Sequence, residues 1–232
     1  MAAVLLDLDG TLTDSKDGIV RSIASALLAL GVENPGEEAL ARCIGPPLLA
    51  SFAELLGPRR RGEAGRALEL YRERFLRIGI FENRVYPGIP GALTALKEDG
   101  HRLFVCTAKP AAFAERIVRH FGIDACFEGV YGPELDGTRS DKAELVLHLL
   151  RDAGLAPHET VMVGDRSHDV AAAHAHGLCA LGVLWGYGGE GELRLAGADA
   201  LVGSPEELPA AVRGARGPAP APRGGGANPP RG

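Results

Sequence analysis

The chain of 232 residues is long enough for one large domain, or for a core carrying a smaller insert. Its 46% hydrophobic and 24% charged residues are ordinary for a packed globular protein, and a net charge of −5 gives no support to binding a nucleic-acid polymer or an anionic membrane. The last twenty residues carry four arginines and no acid, so everything before them is more acidic than the total suggests.

In chain order, short apolar runs alternate with amphipathic segments. Residues 3–9 ("AVLLDLD"), 101–108 ("HRLFVCTA"), 160–165 ("TVMVGD") and 179–185 ("CALGVLW") read as buried parallel strands, with weaker ones at 129–132 and 198–204. Helical patterns at 88–100, 111–122 and 140–154 lie between them, each closing at a glycine suited to a C-cap. This alternation predicts an α/β fold, a doubly wound, mainly parallel sheet. It breaks after Ser15. Ile19, Ile23, Leu27 and Leu30 recur at helical spacing behind Asp14 or Ser15 as N-cap, and "EEALARCIG" and "RALELYRERFLRIG" read as further helices. The expected organisation is a core of residues 1–15 and 84–212, an inserted all-helical cap at 16–83, and a disordered Arg/Gly/Pro tail at 213–232. The run Arg59–Arg61 reads as a solvated helix start or loop.

Scattered cysteines without a CxxC pair suit reduced thiols in a cytoplasmic protein. Asp7 interrupts the first apolar run too early for a signal peptide, and no stretch has the roughly 20 apolar residues of a membrane span.

Ligands of open parallel sheets bind at the carboxyl ends of the strands. There the sequence sets Asp7-Leu8-Asp9-Gly10, Thr107, Lys142 after the weak third strand, and Asp165 with Asp169. Asp7 and Asp9, two apart in extended chain, share a face; Asp165 and Asp169 share one side of a helix start. So many converging carboxylates require a hard cation, and Mg²⁺ is the natural one. Turn formation and helix capping are the alternatives for these aspartates. Only four lysines stand against twenty-one arginines, which suggests that Lys109 and Lys142 are kept as compact point charges. His168, His174 and His176 read as solvated or supporting groups rather than a metal site, since the last two do not share a helix face.

"DLDGTLTDS" and "GDRSHD" resemble two signature motifs of the haloacid dehalogenase (HAD) superfamily, and Thr107 and Lys142 fall where that superfamily carries its hydroxyl and lysine. Segments such as "IGPPLLASF", "FENRVYPGI" and "GVLWGYGGEGEL" resemble its 5′-nucleotidase-like branch, next to phosphoglycolate phosphatases. The resemblance implies a Mg²⁺-dependent phosphomonoesterase acting on a small phosphorylated metabolite. Asp7 would be the nucleophile and Asp9 the acid/base. Thr107, Lys142 and the backbone at Gly10 would hold phosphate, and Asp7, Asp9 (through its carbonyl), Asp165 and Asp169 would hold metal. It further implies that the loop Gly45-Pro46-Pro47 filters leaving groups, although a stiffened helix–loop junction explains those prolines equally well. Lys109 would be a supporting or entrance charge. Asp9 argues against dehalogenation, and Gly164 before Asp165 against a mutase. Transfer to a sugar or protein acceptor, or a non-catalytic binding role, are the rival classes. Tyr71, Phe52 and Phe81 suit stacking on a base or packing of the cap.

Overall fold

In the computed structural model, which describes residues 2–215, six strands form one parallel sheet. The elements follow as β1 (Ala3–Leu6), β2 (Thr13–Asp14), α1 (Lys16–Ala29), α2 (Glu37–Ala41), α3 (Leu48–Arg60), α4 (Ala64–Arg77), β3 (Arg84–Val85), α5 (Ile89–Glu98) and β4 (Arg102–Cys106). They continue with α6 (Ala111–His120), β5 (Gly129–Tyr131), α7 (Lys142–Asp152), β6 (Thr160–Gly164), α8 (Ser167–Ala175), β7 (Cys179–Val183), α9 (Glu190–Ala196), β8 (Ala200–Val202) and α10 (Leu208–Gly214). The sheet order is β5-β4-β1-β6-β7-β8, with all neighbours parallel. All six expected strands, the two weak ones included, are therefore present.

The apolar runs lack alternation because helices cover both faces of the sheet. Val4 and Leu6 of β1 join one buried cluster with Val105, Val163 and the cap helices; Ala3 and Leu5 join the other with Phe104, Met162 and Leu149 of α7. Burial of a side chain such as Leu5 or Leu6 contributes about 2 kcal/mol. Strand order reverses at β1, which lies between β4 and β6, so the crevice for a ligand opens beyond its carboxyl end.

The insert after β1 is all helical, α1 to α4, and returns through β3, which pairs antiparallel with β2. Asp14 fastens this two-residue ladder by an ion pair with Arg84, so it acts at the junction of cap and core. Phe52, Tyr71 and Phe75 stack inside the cap, and Phe75 meets Phe113 of α6 with ring centroids 6.0 Å apart. Phe52 is wholly buried, a packing residue; half-exposed Phe81 packs on His120, away from the crevice.

Two expectations change. The helix predicted over 37–45 stops at Ala41, because Gly45 adopts φ +104° and the chain turns through the two prolines into α3. Arg59 and Arg60 do lie at a helix start, because Gly57 (φ +70°, ψ 175°) breaks α3 and a new turn opens at Pro58; Arg60 is held by Glu63 and the Leu30 carbonyl. The tail expected from residue 213 begins too early: Arg213 and Gly214 close α10, because Leu208 and Val212 bury against the core and Arg213 pairs with Asp99. The rest of that segment, 216–232, lies outside the described residues.

Candidate active site

Each strand at the switch point delivers one group. The Asp7 N–H donates to the Val163 carbonyl (2.9 Å), which extends β1 by one position and sets Asp7 beside the end of β6. The chain then wraps tightly, with the N–H groups of Leu12 and Thr13 both donating to the Leu8 carbonyl. Gly10 turns with φ +89°, and a Cβ there would collide with the Asp165 carboxylate. Gly164 is required in the same way, since a Cβ would collide with Asp169. The glycines beside the acidic motifs are thus spaces cleared for carboxylates.

Asp7, Asp165 and Asp169 are all buried, and one oxygen from each lies within 4.8 Å of the others. Lys142, the first residue of α7, sets its ammonium 3.0 Å from Asp7 Oδ1 and against Asp169 Oδ1. Asp165 is held from the opposite side: the N–H groups of Tyr187 (2.7 Å) and Gly188 (3.4 Å) donate to Oδ2, and the Thr11 hydroxyl to Oδ1 (3.4 Å). Asp169 accepts from the Arg166 N–H (3.0 Å), so it caps α8 and faces Lys142 at once. Capping and cluster formation coexist.

Electrostatically the cluster holds more acid than one ammonium neutralises. Burial, then the Asp169 and Asp9 charges, push Asp7 up to about 6 against the pull of Lys142. Burial and the charges of Asp169 and Asp7 push Asp165 up to about 8. Burial works against the Lys142 ammonium, but Asp169 and Asp7 outweigh it and raise its pKa. Three buried carboxylates in reach of one point form an oxygen donor set suited to a hard divalent cation.

The Asp9 carboxylate stands apart from this set. Its Oδ2 pairs with Lys109 at 2.8 Å, while its Oδ1 is buried without a hydrogen-bond partner. Lys109 is buried too, 4.7 Å over the Phe75 ring, so it belongs inside the crevice rather than at its entrance. Thr107 follows β4 fully buried, its hydroxyl accepting from the Lys109 N–H (3.2 Å). Asp7, Asp9, Thr107 and Lys109 all line one cavity of about 290 Å³ between core and cap. Gly45, Pro46 and Pro47 line its far side, along with Tyr71, Phe75 and Leu135. The histidines stay outside the acidic set: His174 meets Asp199 and His176 the Ala143 carbonyl.

The loop after β7, within the segment "GVLWGYGGEGEL", carries a site role that the sequence alone did not assign. Gly186 and Gly188 pack so closely on Asp165 that a Cβ at either would strike it, and Tyr187 reaches from Asp165 to the Asp14 carboxylate (3.0 Å). The glycine spacing in "WGYGG" was the available signal.

The profile of the family described as haloacid dehalogenase-like hydrolase matches residues 4–183. The chain is 49% identical over 191 residues to a Pseudomonas aeruginosa protein named 5′-nucleotidase, covering 82% of this chain and 86% of that one. It is 42% identical over 186 residues to a Mycobacterium tuberculosis protein named tyrosine-protein kinase PtkA, covering 80% of this chain and 62% of the other. A crystal structure described as a predicted phosphatase from Clostridium acetobutylicum superposes with a TM-score of 0.88 at 36% identity, covering 92% of this chain and 98% of that one.

Proposed function

The chain belongs to the haloacid dehalogenase-like hydrolases and is a phosphoric monoester hydrolase; on that premise we propose that it cleaves nucleoside 5′-monophosphates through a phosphorylated Asp7, with Mg²⁺ bound. We assign the core to residues 2–15 and 84–214 and the cap to 16–83.

The observation that carries the substrate class is the charge distribution of the cavity. Among the described residues two cations line it, and both are engaged: Lys109 with Asp9, and Arg72 with the Leu135 carbonyl at 3.0 Å. Glu134 and Asp136 stand along the same wall. A leaving group that carries its own carboxylate, as in phosphoglycolate, finds no unengaged cation among the described lining residues; it meets Asp136 and a Glu134 already paired with Arg139. An uncharged nucleoside with a flat apolar face meets Tyr71, Pro46 and Leu135. The relative named 5′-nucleotidase supports the same class.

In the chemical step, an Asp7 oxygen attacks phosphorus, the bond to the leaving oxygen breaks, and Asp9 delivers a proton to it. Water then attacks the phosphorus of the aspartyl-phosphate while Asp9 accepts its proton, and the Asp7 carboxylate is released. Lys142 and the Thr107 hydroxyl hold phosphoryl oxygens as charge spreads over them. A Mg²⁺ ion held by Asp7, Asp165 and Asp169 would supply further positive charge against the same oxygens.

The metal reading is checked by thermal unfolding across pH. Asp7 and Asp165 are held above the ordinary carboxylate range, at about 6 and about 8. The stability linked to such raised groups is fully present below their unfolded values and is lost as pH rises through their folded values. Chelated protein should therefore lose melting temperature between roughly pH 5 and 8, and the gain on adding Mg²⁺ should grow over the same interval. A Mg²⁺ shift that does not vary with pH would place the ion elsewhere.

The function is tested by phosphate release with Mg²⁺ from AMP, UMP, phosphoglycolate and glucose 6-phosphate. We expect kcat/KM for the nucleotides to exceed that for phosphoglycolate by about tenfold or more, the worth of one uncompensated charge in a partly buried site. The reverse order would reassign the substrate with the same catalytic residues. The relative named tyrosine-protein kinase favours a second reading, transfer to a protein acceptor. It would appear as phosphorylated protein with little free phosphate.

A further inference from the structure

Several contacts join cap to core, and one of them starts inside the acidic motif. Arg72 reaches the Leu135 carbonyl, and Arg116 the Leu76 carbonyl (3.4 Å), from exposed side chains. Arg166 differs. It sits between Asp165 and Asp169 in sequence, and its own N–H holds Asp169 Oδ2 at 3.0 Å. Its side chain is only 17% exposed, and the guanidinium donates through Nη1 to the Ile44 carbonyl, in the cap loop that lines the cavity. Nε donates to Glu192 at 3.0 Å, and the same Glu192 oxygen accepts from the Ser167 N–H at 2.7 Å. One residue of the acidic loop therefore grips the cap, and a carboxylate at the start of α9 fixes the direction in which it grips.

The fit of the loop is equally specific. Gly45 takes φ +104°, and a Cβ there would lie 3.0 Å from both Arg166 Nη1 and His168 Cε1. The backbone of the cap loop thus rests directly on the first turn of α8. Ile44 is fully buried and lines the cavity, so what holds its carbonyl also holds the wall that faces a leaving group.

We propose that Arg166, oriented by Glu192, is a positioning residue whose guanidinium latches the loop Ile44–Gly45 at the wall of the cavity, while its backbone N–H holds Asp169 independently of the side chain. The proposal rests on the hydrolase reading for its kinetic consequence and on geometry alone for its structural one. A charge-assisted hydrogen bond across a closing interface strengthens only in the closed state, so it shifts the open–closed balance without touching the reacting atoms.

The test compares the full chain with Arg166→Met by hydrogen exchange and by steady-state kinetics. Amides of residues 40–52 should exchange about tenfold faster in the variant, the loss expected for one such hydrogen bond, while those of β6 stay unchanged. KM for AMP should rise by about as much with a smaller change in kcat. The kcat/KM for acetyl phosphate, whose leaving group is too small to span the cavity, should change by less than about twofold, the scatter of a side-chain change that leaves the backbone N–H on Asp169 in place. Arg166→Lys keeps a donor for Ile44 without the planar fork, and should restore part of both losses. Unchanged exchange over 40–52, or equal losses on both substrates, would overturn the latch. If β6 also exchanges faster in Arg166→Met, Glu192→Gln decides: faster exchange confined to 40–52 supports the latch, and none overturns it. Wild-type protein that releases phosphate from neither substrate would sink the hydrolase reading, while the exchange result would still decide the latch.

Discussion

Replacing Asp7 by asparagine is expected to lower phosphate release by about four orders of magnitude or more, the scale on which loss of a nucleophile acts. The amide is nearly isosteric but carries no anionic oxygen to attack phosphorus. The fold should not suffer. Asp7 is buried beside Asp169 and Asp9, and burial with those charges holds its carboxyl up to about 6, so the ionised form is costly in the absence of a cation. The amide relieves that repulsion, and Lys142 keeps Asp169 as its partner. The measurement pairs phosphate release with acid-quenched capture of a phosphoenzyme. Wild type should yield a labelled chain and Asp7→Asn none, with a melting temperature equal to or above that of wild type in chelated buffer. Near-normal turnover in the variant would remove Asp7 from the nucleophile's role.

Lys142→Met should be the most destabilising single change at the site. The ammonium is buried and faces two buried carboxylates, at 3.0 Å from Asp7 and in contact with Asp169. Deleting one partner of such a cluster leaves uncompensated charge, typically at a cost of about 3 to 5 kcal/mol. For a domain of this size that corresponds to a fall in Tm on the order of 10 °C. The loss depends on pH in a definite direction. Asp7 already binds its proton up to about pH 6, and removing the cation raises the folded-state affinity for that proton further. A raised group contributes stability below its unfolded pKa and loses it as pH rises through the folded value. The penalty should therefore be small near pH 5 and full near pH 8, and the Asp7→Asn/Lys142→Met pair should cost less than the sum of the single changes. A pH-independent penalty would mean that Lys142 acts by packing alone.

Much of this site is legible in the chain itself. The runs around Leu5, Phe104, Met162 and Leu181 mark strands because a sheet covered on both faces needs continuous apolar residues. The polar groups that follow them, Asp7, Thr107 and Asp165, fall at strand ends because carboxylates and hydroxyls are costly inside the sheet. The turn at Gly10 and the glycine before Asp165 are likewise local marks, although their reason, room for the Asp165 and Asp169 carboxylates, is visible only in the fold. The end of α2 falls earlier than its pattern suggests, and α3 was not among the helices read from the sequence. Burial of Phe52 and Leu56 fixes its first part, and Gly57 at φ +70° stops that part where local propensity would.

What the sequence by itself determined is the alternation of elements, the helical insertion after the first strand, and the inventory of acids, hydroxyl and lysines at strand and helix ends. Each of these rests on periodicity or spacing within a few residues, where the chain's own geometry decides which side chains share a face. What only the tertiary structure decided is partnership: Lys109 with Asp9, Tyr187 and Gly188 with Asp165, and Arg166 with a carbonyl of the cap. Those pairings join segments far apart in the chain. A charge or an N–H group acquires its partner from what burial brings within about 3 Å, and no local pattern encodes that distance.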